Sequence, residues 1–504
     1  MSGLVEQPAH SKRSALFGAL IASVVLGVGA LGCTEETGDR AQEIASAMTS
    51  VDGPLLRDRP ALVAGKYALM ASDPYAFYRG SAPVYLRDYR LDRDGAWSSS
   101  FAEGAPLVLT LGDAHVENFG TLLSRDGTLA LEPNDFDAAD EGLYLWDVRR
   151  LVIGVALAAH LSNDDDSDAR DKAARAARDV AASVAKGYVA TLESLAQGAP
   201  RERMSDPGDS AALEDLFDRS EEGLEDRSEL PSFTVESHGR RVFKRGAIDA
   251  AEPWTLLYDL PASCDEVLPG VLARYRETLS DPPPPSFFEI LDEVRYLGSG
   301  VASFPRVRVL VLVRGDSDSP DDDVILEMKE IAAPLGPPHA PSAARFASPE
   351  DRIQHTTRAA WATETTAPLW STSTMLDFPV QVRLVSGGQK TVRVSRLGGE
   401  RGTPKALRDL SASLGALLAR VHASKLALDS PPPAGALWSV IGRDPEGFVA
   451  EQADAGAAGA ERAIEDHQYF REALDRFGPT LGVASTAKES PSSELSELYS
   501  GVAP

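Results

Sequence analysis

The chain has only two cysteines in 504 residues, Cys33 and Cys264. Neither stands in a Cys-x-x-Cys pair or in a cysteine–histidine spacing, which argues against structural zinc. The sequence also lacks Gly-x-Ser-x-Gly and His-Glu-x-x-His, which argues against the common serine hydrolases and zinc proteases. We therefore expect the fold to depend on its hydrophobic core rather than on disulfides or zinc.

Positive charge is also scarce, with 50 lysines and arginines against 76 aspartates and glutamates, for a net charge of −26. Such a surface repels nucleic acid, and no basic patch with interleaved aromatic residues offsets it, so DNA and RNA are not expected as partners. The hydrophobic fraction of 43% and the charged fraction of 25% are ordinary for a globular protein. The length exceeds one compact core, which predicts two or more lobes.

The first 33 residues have the pattern of a targeting segment. Lys12 and Arg13 precede an uncharged apolar run, Ala15–Gly32, which ends at Cys33. The sequence Ala30-Leu31-Gly32-Cys33 resembles a lipobox, with alanine where leucine is usual, so Cys33 is expected to carry a lipid. Because the run is long, an uncleaved membrane anchor is the alternative. Both predict a membrane-anchored protein of the cell envelope that faces outside the cytoplasm.

Composition and periodicity divide the rest of the chain into six segments. We expect a small, polar tether over 34–54, one half of a large lobe over 55–200, and a charged connector or insert over 201–288. A β-rich small lobe over 289–400 follows, in which Val380–Leu384 and Thr391–Leu397 are expected to form a hairpin. The helical remainder of the large lobe occupies 401–486, and a polar tail occupies 487–504.

The densest set of polar residues begins with Asp113, His115 and Asn118, in a loop that follows a short apolar strand. A hairpin comes next, predicted by an Asp-Gly turn between two apolar runs, and it leads to Asn134-Asp135-Phe136-Asp137. Such a hairpin returns the second loop beside the first. The carboxylates and the amide of the two loops are therefore expected around one point.

This spacing is that of the catalytic loop and the metal loop of kinases. In such a site Asp113 accepts the proton of an acceptor hydroxyl, whereas Asn118, Asp135 and Asp137 supply oxygen ligands to Mg²⁺ against the phosphates of ATP. His115, also assigned to catalysis, completes a loop that resembles the Gly-Asp-x-His-x-x-Asn loop of aminoglycoside and choline kinases. The alternative is that these are turn and cap residues, a role that the same side chains favour.

Two further kinase-like parts lie downstream. Gly298, Ser299 and Gly300 form a glycine loop before a predicted strand, where backbone N–H groups can approach phosphates. The following strand carries Lys329, at the position where kinases keep a phosphate-contacting lysine. The alternative is that Glu327 and Lys329 share the solvent face of an edge strand.

The order of these parts differs from that of an ordinary kinase. Glycine loop, lysine strand, helix, hairpin and a long helix ending at His422 follow one another as expected, but the loop at Asp113 lies upstream. A circular permutation accounts for this order, because chain termini often lie close together. The expected fold is α+β, two-lobed, protein-kinase-like and circularly permuted. It would bring Lys329 and Asp135 into one cleft under the glycine loop, and His422 beside the strand that leads into Asp113.

Several of these motifs resemble the signature blocks of the DUF2252 family of uncharacterised bacterial proteins, over residues 55 to 475. They are Phe77 to Gly80, Gly112 to Gly120, Asn134 to Asp137, Trp146 to Leu151, Gly298 to Gly300, Met328 to Glu330 and Leu418 to Ala423. The resemblance implies a shared fold and site but no established activity. The chain departs from the expected pattern at two places. His355 stands where an acidic partner for Lys329 is expected, which leaves Glu350 or Glu364 as substitutes, and Ser303 ends the glycine loop in place of glycine.

Two further residues have expected supporting roles. Asp147 opens a helix just after the second loop, and in kinases an aspartate there hydrogen-bonds the backbone of the catalytic loop. The alternative for Asp147 is a carboxylate favoured by the helix dipole. Arg79 is a candidate ligand for an anion, with a buried salt bridge as the alternative.

The leading functional hypothesis is a phosphotransferase that depends on ATP and Mg²⁺ and acts on a small molecule or an envelope component. Its partners would be the nucleotide, the acceptor and, through the lipid, the membrane. ATP is scarce outside the cytoplasm, so a kinase-like module that binds a ligand without turnover is the second hypothesis. A third is a metal-dependent phosphohydrolase that uses the same carboxylates on water.

Lipidation of Cys33 is directly testable. Metabolic labelling with a radioactive or clickable fatty acid is expected to mark the wild-type chain, and Cys33→Ser is expected to abolish the label because serine has no thiol to accept a lipid. An unlabelled wild-type chain would leave the uncleaved anchor as the better interpretation.

Overall fold

The structure is a computed structural model with a mixed α/β fold. It describes residues 39–92, 95, 97–162, 169–250, 252–260, 266–333, 346–363, 366–425 and 433–484. The helices are α1 (Arg40–Asp58), α2 (Pro60–Ser72), α3 (Pro74–Gly80), α4 (Ala82–Leu91), α5 (Leu145–Leu161), α6 (Ala169–Ala196), α7 (Ala211–Glu225), α8 (Glu229–Phe233), α9 (Leu268–Glu277), α10 (Pro349–Ala360), α11 (Pro404–His422), α12 (Ala434–Ile441) and α13 (Pro445–Phe477). The strands are β1 (Leu107–Thr110), β2 (Phe119–Leu123), β3 (Leu129–Pro133), β4 (Asp140–Leu143), β5 (Thr234–Ser237), β6 (Arg240–Phe243), β7 (Gly246–Ala247), β8 (Leu256–Tyr258), β9 (Ile290–Leu297), β10 (Arg308–Val313), β11 (Val324–Glu330), β12 (Ser371–Met375) and β13 (Phe378–Val385).

Two short antiparallel pairs bring the two polar loops together. β1 pairs with β4, and β2 pairs with β3. The loop between β1 and β2 and the loop between β3 and β4 therefore emerge at the same end of these strands. A backbone hydrogen bond of 3.1 Å from Asn134 N to Asn118 O joins them. The expected return of the second loop beside the first is met.

A seven-stranded antiparallel sheet, in the order β12-β13-β11-β10-β9-β8-β7, forms the second structural element around the loops. β11 lies inside this sheet, between β10 and β13, and not at an edge. Its register places Lys329 opposite Arg308 on β10 and Glu327 opposite Arg383 on β13. Because alternate residues of a strand point to the same face, Glu327 and Lys329 share one side of the sheet.

The helical part of the core is centred on α5 and α6. α6 contacts α5, α11 and α13, and α5 is buried along nearly its whole length. α11 begins in the way its sequence predicts: the Thr403 hydroxyl accepts a hydrogen bond from Ala406 N, and Pro404 occupies the first turn. The helix ends at His422, close to the predicted boundary.

The tether predicted over 34–54 is wrong from Arg40 onward, since that stretch forms α1. Ile44 and Met48 are fully buried in a cluster that also contains Phe470 of α13. Arg40 bonds to Asp466, with a distance of 2.6 Å from Nη2 to Oδ2. Small residues at helical spacing, with a few large apolar ones, pack here against another helix instead of remaining in solvent.

Two other expectations about the β-rich region need correction. The hairpin partner of β13 is β12, and Thr391–Leu397 is no strand of the sheet: Thr391 makes only an isolated bridge to Gly120. β12 escaped notice because Ser371–Met375 is mostly serine and threonine and has no apolar alternation. The predicted connector over 201–288 also contributes β7 and β8 to the sheet.

In the part of the chain that is described, no helix combines the length and the hydropathy needed to cross a bilayer.

The contact between α6 and α11 generates a test of the core. A Cβ added to Gly415 of α11 would lie 2.0 Å from the backbone oxygen of Val184. We expect Gly415→Ala to lower the free energy of unfolding by about 1–3 kcal/mol, because two helices must move apart. Urea denaturation measures this change.

Gly435→Ala is the matched control, because no atom lies within 4 Å of its added Cβ. In a helix that substitution is expected to stabilise by up to about 1 kcal/mol. Equal effects at the two glycines would contradict the close approach of the two helices.

Candidate active site

The loop after β1 is held in place from beneath by Asp147, at the start of α5. The fully buried Asp147 carboxylate accepts hydrogen bonds from Leu111 N at 2.5 Å and from Gly112 N at 2.9 Å. His422 Nε2, at the end of α11, lies 3.3 Å from the same carboxylate. The structure thus brings His422 beside the residues that lead into Asp113, and Asp147 contacts the loop backbone as expected.

Gly112 lets the first loop approach the second. Its φ of 77° is in the left-handed region, and an added Cβ would lie 2.1 Å from Ala138 O. Trp146 Nε1 donates to Gly112 O at 2.7 Å, so this peptide is fixed on both sides. Any side chain at this position would push the two loops apart.

Asp113 is held by a buried arginine. Arg150 Nε donates to Asp113 Oδ1 at 2.8 Å, and the Arg150 guanidinium lies 3.8 Å from the centroid of the Tyr78 ring. Burial raises the pKa of the Asp113 carboxyl above its usual value, although the charge of Arg150 opposes that rise. The carboxylate is therefore a stronger base than an ordinary surface aspartate.

His115 lies next to Asp113 and is neutral. His115 Nε2 is 3.9 Å from Asp113 Oδ2, and only 4% of the residue is exposed. Burial lowers the pKa of the imidazole well below its usual value, and the nearby positive charges of Arg79, Arg150 and Arg393 lower it further. Within the described part of the chain, His115 Nδ1 has no hydrogen-bond partner.

Asn118 connects the ends of the first loop. Its Nδ2 donates to the backbone oxygen of Asp113 at 2.7 Å, so the amide oxygen is the atom left to face a ligand. The residue also lines the same cavity as Asp113 and Asp135.

Asp135 and Asp137 of the second loop both contact Lys329. Lys329 Nζ lies 3.4 Å from Asp135 Oδ2 and 2.5 Å from Asp137 Oδ2. Gln381 Nε2 donates to Asp137 Oδ1 at 3.2 Å. Burial opposes ionisation of Asp135, but the charge of Lys329 and the backbone N–H of Asp137 hold the pKa of its carboxyl below the usual value. Lys329 and Asp135 therefore meet in one cleft, as expected.

The acidic partner of Lys329 comes from the second loop and not from the helix where it was sought. In α10, His355 is exposed and Glu350 accepts a hydrogen bond from the Thr374 hydroxyl; Glu364 lies outside the described residues. α10 contributes Arg352 instead, whose Nη2 donates to Asp137 O at 3.0 Å.

A network of buried charges surrounds Lys329 on the sheet. Glu327 accepts from Arg308 Nη1 at 2.5 Å and from Arg383 Nε. Burial raises the pKa of Glu327, but the two arginines outweigh it and bring that pKa to about 2. Glu327 and Lys329 are 2% and 3% exposed. The interpretation of this pair as the solvent face of an edge strand is therefore wrong.

The glycine loop lies between β9 and β10 and forms part of the same cavity wall. Gly298 and Gly300 have φ values of 75° and 77°, as expected for a tight turn. Ser303, in the place where glycine was expected, accepts a hydrogen bond of 2.7 Å from Arg308 Nη2. The departure from the expected pattern therefore ties the loop to the charged face of the sheet.

Arg79 is part of a salt bridge that also faces the cavity. Arg79 Nη1 lies 2.9 Å from Glu117 Oε2, and Arg393 Nη1 lies 3.2 Å from the same oxygen. Arg393 was not foreseen, and neither were Arg308 and Arg383, because an isolated arginine carries no spacing signal. Arg150 could have been predicted from the sequence, since it stands in the Trp-Asp-Val-Arg-Arg motif.

These groups line a cavity of about 230 Å³. The described lining includes seven basic and five acidic side chains, although the whole chain carries a net charge of −26. The basic ones are Lys66, Arg79, Arg306, Arg308, Lys329, Arg383 and Arg393; the acidic ones are Asp52, Asp113, Glu117, Asp135 and Asp137. Such a cavity favours small anions.

The residues assigned to Mg²⁺ contribute two carboxylates and one amide oxygen. Among the described residues, no group of three or more histidine, cysteine, aspartate or glutamate side chains is arranged to hold a metal ion. The donor set nonetheless suits Mg²⁺, which takes few protein ligands when substrate phosphates and water supply the rest. The ammonium of Lys329 between Asp135 and Asp137 also shows that both carboxylates can face one positive charge.

Comparison with protein families gives a match. The profile of a protein family described as "Uncharacterized protein conserved in bacteria (DUF2252)" matches residues 57–473, which include both polar loops, the glycine loop and Lys329. The chain belongs to the DUF2252 family. The membership expected from its motifs is thereby confirmed. No curated protein and no solved structure matches this DUF2252 chain.

Asp147 provides a test of how this DUF2252 site is held together. Asp147→Ala would leave two buried backbone N–H groups without an acceptor, and each such loss costs about 1–3 kcal/mol. We therefore expect the free energy of unfolding to fall by about 2–5 kcal/mol, as measured by urea denaturation. Asp454→Ala, which removes an exposed partner of Arg178, is the control and is expected to cost less than about 1 kcal/mol. An unchanged free energy of unfolding in Asp147→Ala would show that the loop does not depend on this carboxylate.

Proposed function

We propose that this cleft is the active site of a phosphotransferase that uses ATP and Mg²⁺ and acts on a small molecule or an envelope component. One observation carries the proposal. Lys329, 194 positions from Asp135 in sequence, has its ammonium 3.4 Å from that carboxylate. The glycine loop and the Asp113 loop line the same cavity. Phosphoryl transfer requires positive groups, a metal loop and a base in this arrangement.

The sheet side of the cleft is suited to hold the phosphates of the nucleotide. Lys329 and Arg308 supply fixed positive charge, and the turn Gly298–Gly300 brings backbone N–H groups to the cavity without side chains in the way. Arg308 also bonds to Ser303 and so restrains the loop. Groups that are fixed before the reaction need no reorganisation during it. Such positioning and charge stabilisation provide most of the rate enhancement in phosphoryl transfer.

Asn118, Asp135 and Asp137 would hold Mg²⁺, which supplies neutralisation of the phosphate charge when it is bound. Lys329 is paired with the carboxylates of Asp135 and Asp137. If the phosphates of a nucleotide bound Lys329, the carboxylates of Asp135 and Asp137 would be available to hold Mg²⁺.

Asp113 is suited to act as the base. The acceptor oxygen forms a bond to the γ-phosphorus of ATP while the bond from that phosphorus to the β–γ bridging oxygen breaks, and ADP leaves. The acceptor proton passes to Asp113, whose pKa burial raises, so that it holds a proton better than an exposed aspartate. Arg150 orients the carboxylate through Oδ1. His115, being neutral, can accept or donate a hydrogen bond at the acceptor.

The finer fold assignment is part of the same proposal. A two-lobed, kinase-like and circularly permuted arrangement is supported by His422, which lies 3.3 Å from Asp147, the carboxylate that binds Leu111 N and Gly112 N. In an unpermuted kinase the chain would join the end of the helix at His422 to the strand that leads into Asp113. The arrangement is further supported by the glycine loop and Lys329 on neighbouring strands of one sheet. We also propose that Cys33 anchors the protein in the envelope by a lipid.

Binding without turnover is the second candidate, and one observation favours it. Lys329 is bonded to the same carboxylates that the metal needs, and no acidic residue of α10 is available in the described part of that helix to draw it away. A ligand-binding protein would retain this closed pairing. Measuring ADP release alongside nucleotide binding separates the two candidates.

The metal loop provides the decisive variant. We expect ATP with Mg²⁺ to stabilise the wild-type chain against thermal unfolding, by about 2.7 kcal/mol at a ligand concentration of 100 times Kd. Asp135→Asn is expected to remove the Mg²⁺-dependent part, because a neutral amide does not balance the charge of the metal.

Asp318→Asn, at a side chain that is 89% exposed, is the control and is expected to behave like the wild type. The same Mg²⁺-dependent stabilisation in Asp135→Asn and wild type would exclude Asp135 from the site. Stabilisation without ADP release would favour the binding candidate.

A further inference from the structure

The end of the cleft beyond Asp113 contains a pair of arginines that share one carboxylate. Arg79, at the end of α3, and Arg393, after the sheet, both contact the single oxygen Oε2 of Glu117, at 2.9 Å and 3.2 Å. Glu117 Oε1 is already taken by Val394 N at 3.0 Å. Three distant segments of the chain thus converge on one ion cluster.

This cluster carries an excess of positive charge. Two guanidinium groups face one carboxylate, and the neighbouring Asp113 is balanced by Arg150. Arg79 Nε is buried and has no hydrogen-bond partner among the described residues. The cost of keeping a half-buried cation incompletely paired falls when an anion binds beside it.

The cluster is distinct from the cations of the sheet. Lys329, Arg308 and Arg383 surround Glu327 and the second loop. Arg79 and Arg393 instead flank the first loop, whose Asp113 and His115 line the same cavity. The cleft therefore has two cationic ends with the carboxylates of the two loops between them.

We propose that the Arg79–Arg393 end is a subsite for an oxyanion, so that the acceptor of this protein is a small alcohol that carries its own phosphate or carboxylate group. The assignment of the acceptor, rather than the nucleotide, to this end rests on the proposed function, in which the sheet end holds the nucleotide and Asp113 faces the acceptor. Planar guanidinium groups bind phosphate and carboxylate oxygens in pairs, which would orient the hydroxyl toward Asp113. His115, neutral and next to the base, contacts the uncharged part of the same molecule.

Isothermal titration calorimetry on the full-length chain in detergent, without nucleotide or Mg²⁺, tests the subsite. The probes are glycerol 3-phosphate, D-glycerate and glycerol. We expect at least one of the two anions to bind and glycerol to bind at least about tenfold more weakly, since a charged hydrogen bond contributes about 1.5–3 kcal/mol. The ratio of the two anions distinguishes a phosphate site from a carboxylate site.

Three variants make the test specific. Arg393→Gln is expected to weaken binding of the preferred anion by about tenfold to a hundredfold, and because this side chain is 45% exposed the variant should fold. Arg396→Gln is the matched control, since it makes the same charge change on an exposed residue three positions along; it is expected to leave binding unchanged.

Glu117→Gln is expected to strengthen binding, because it frees both arginines while its amide oxygen can still accept from Val394 N. A purely structural salt bridge predicts the opposite sign.

Lys329→Met separates this inference from the proposed function. Retained anion binding in Lys329→Met and Asp135→Asn, with loss in Arg393→Gln, supports the subsite even if no nucleotide binds anywhere. Three results would overturn it: no anion binding to the wild type, binding lost in Lys329→Met but kept in Arg393→Gln, or glycerol binding as well as the anions.

Discussion

The ion pairs between Lys329 and the carboxylates of Asp135 and Asp137 join the sheet to the loops, and the cleft depends on them. Lys329 is 3% exposed, and removing one partner of a buried ion pair costs about 3–5 kcal/mol, because the other charge stays behind unpaired. Arg308, Glu327 and Arg383 continue the alternation of charge across the strands. The distance between the sheet and the second loop is therefore fixed by charge rather than by apolar packing alone.

The first loop is fixed by one turn of helix. Trp146, Asp147 and Arg150 stand at the start of α5, and they bind, in that order, the oxygen of Gly112, the N–H groups of Leu111 and Gly112, and the carboxylate of Asp113. α5 is buried along nearly its whole length in the helical core, so the loop takes its rigidity from a deeply packed element. A base that must act on a hydroxyl at hydrogen-bond distance benefits from such a support.

Sequence reasoning succeeded where the signal was local. The Asp-Gly turn predicted the β2–β3 hairpin, and the hairpin predicted that the loop of Asn118 and the loop of Asp135 would lie side by side. Sequence reasoning failed where an element depends on contacts between distant segments or has no distinctive residue pattern. The helix α1 was missed because Ser46, Thr49 and Ser50 resemble a linker until Ile44 and Met48 are seen against Phe470. The partner of Lys329 was sought on a helix by analogy, whereas the second loop supplies it. The sequence could not assign three arginines to the site, because their positions follow only from the register of the sheet and from the approach of a distant segment. They are Arg308, Arg383 and Arg393.

The distribution of charge favours a small ligand over a large one. The described cavity lining has more basic than acidic side chains, in a chain with a net charge of −26. At physiological ionic strength charges are screened over about 8 Å. A small anion inside the cleft therefore responds mainly to the arginines and Lys329 around it, whereas an anion that extends beyond the cleft also meets the net negative charge of the whole chain. The same excess explains why the carboxylates of Glu117, Glu327, Asp135 and Asp137 are each matched by basic groups: they hold the cations in place, and the charge that remains is available to a phosphate or carboxylate.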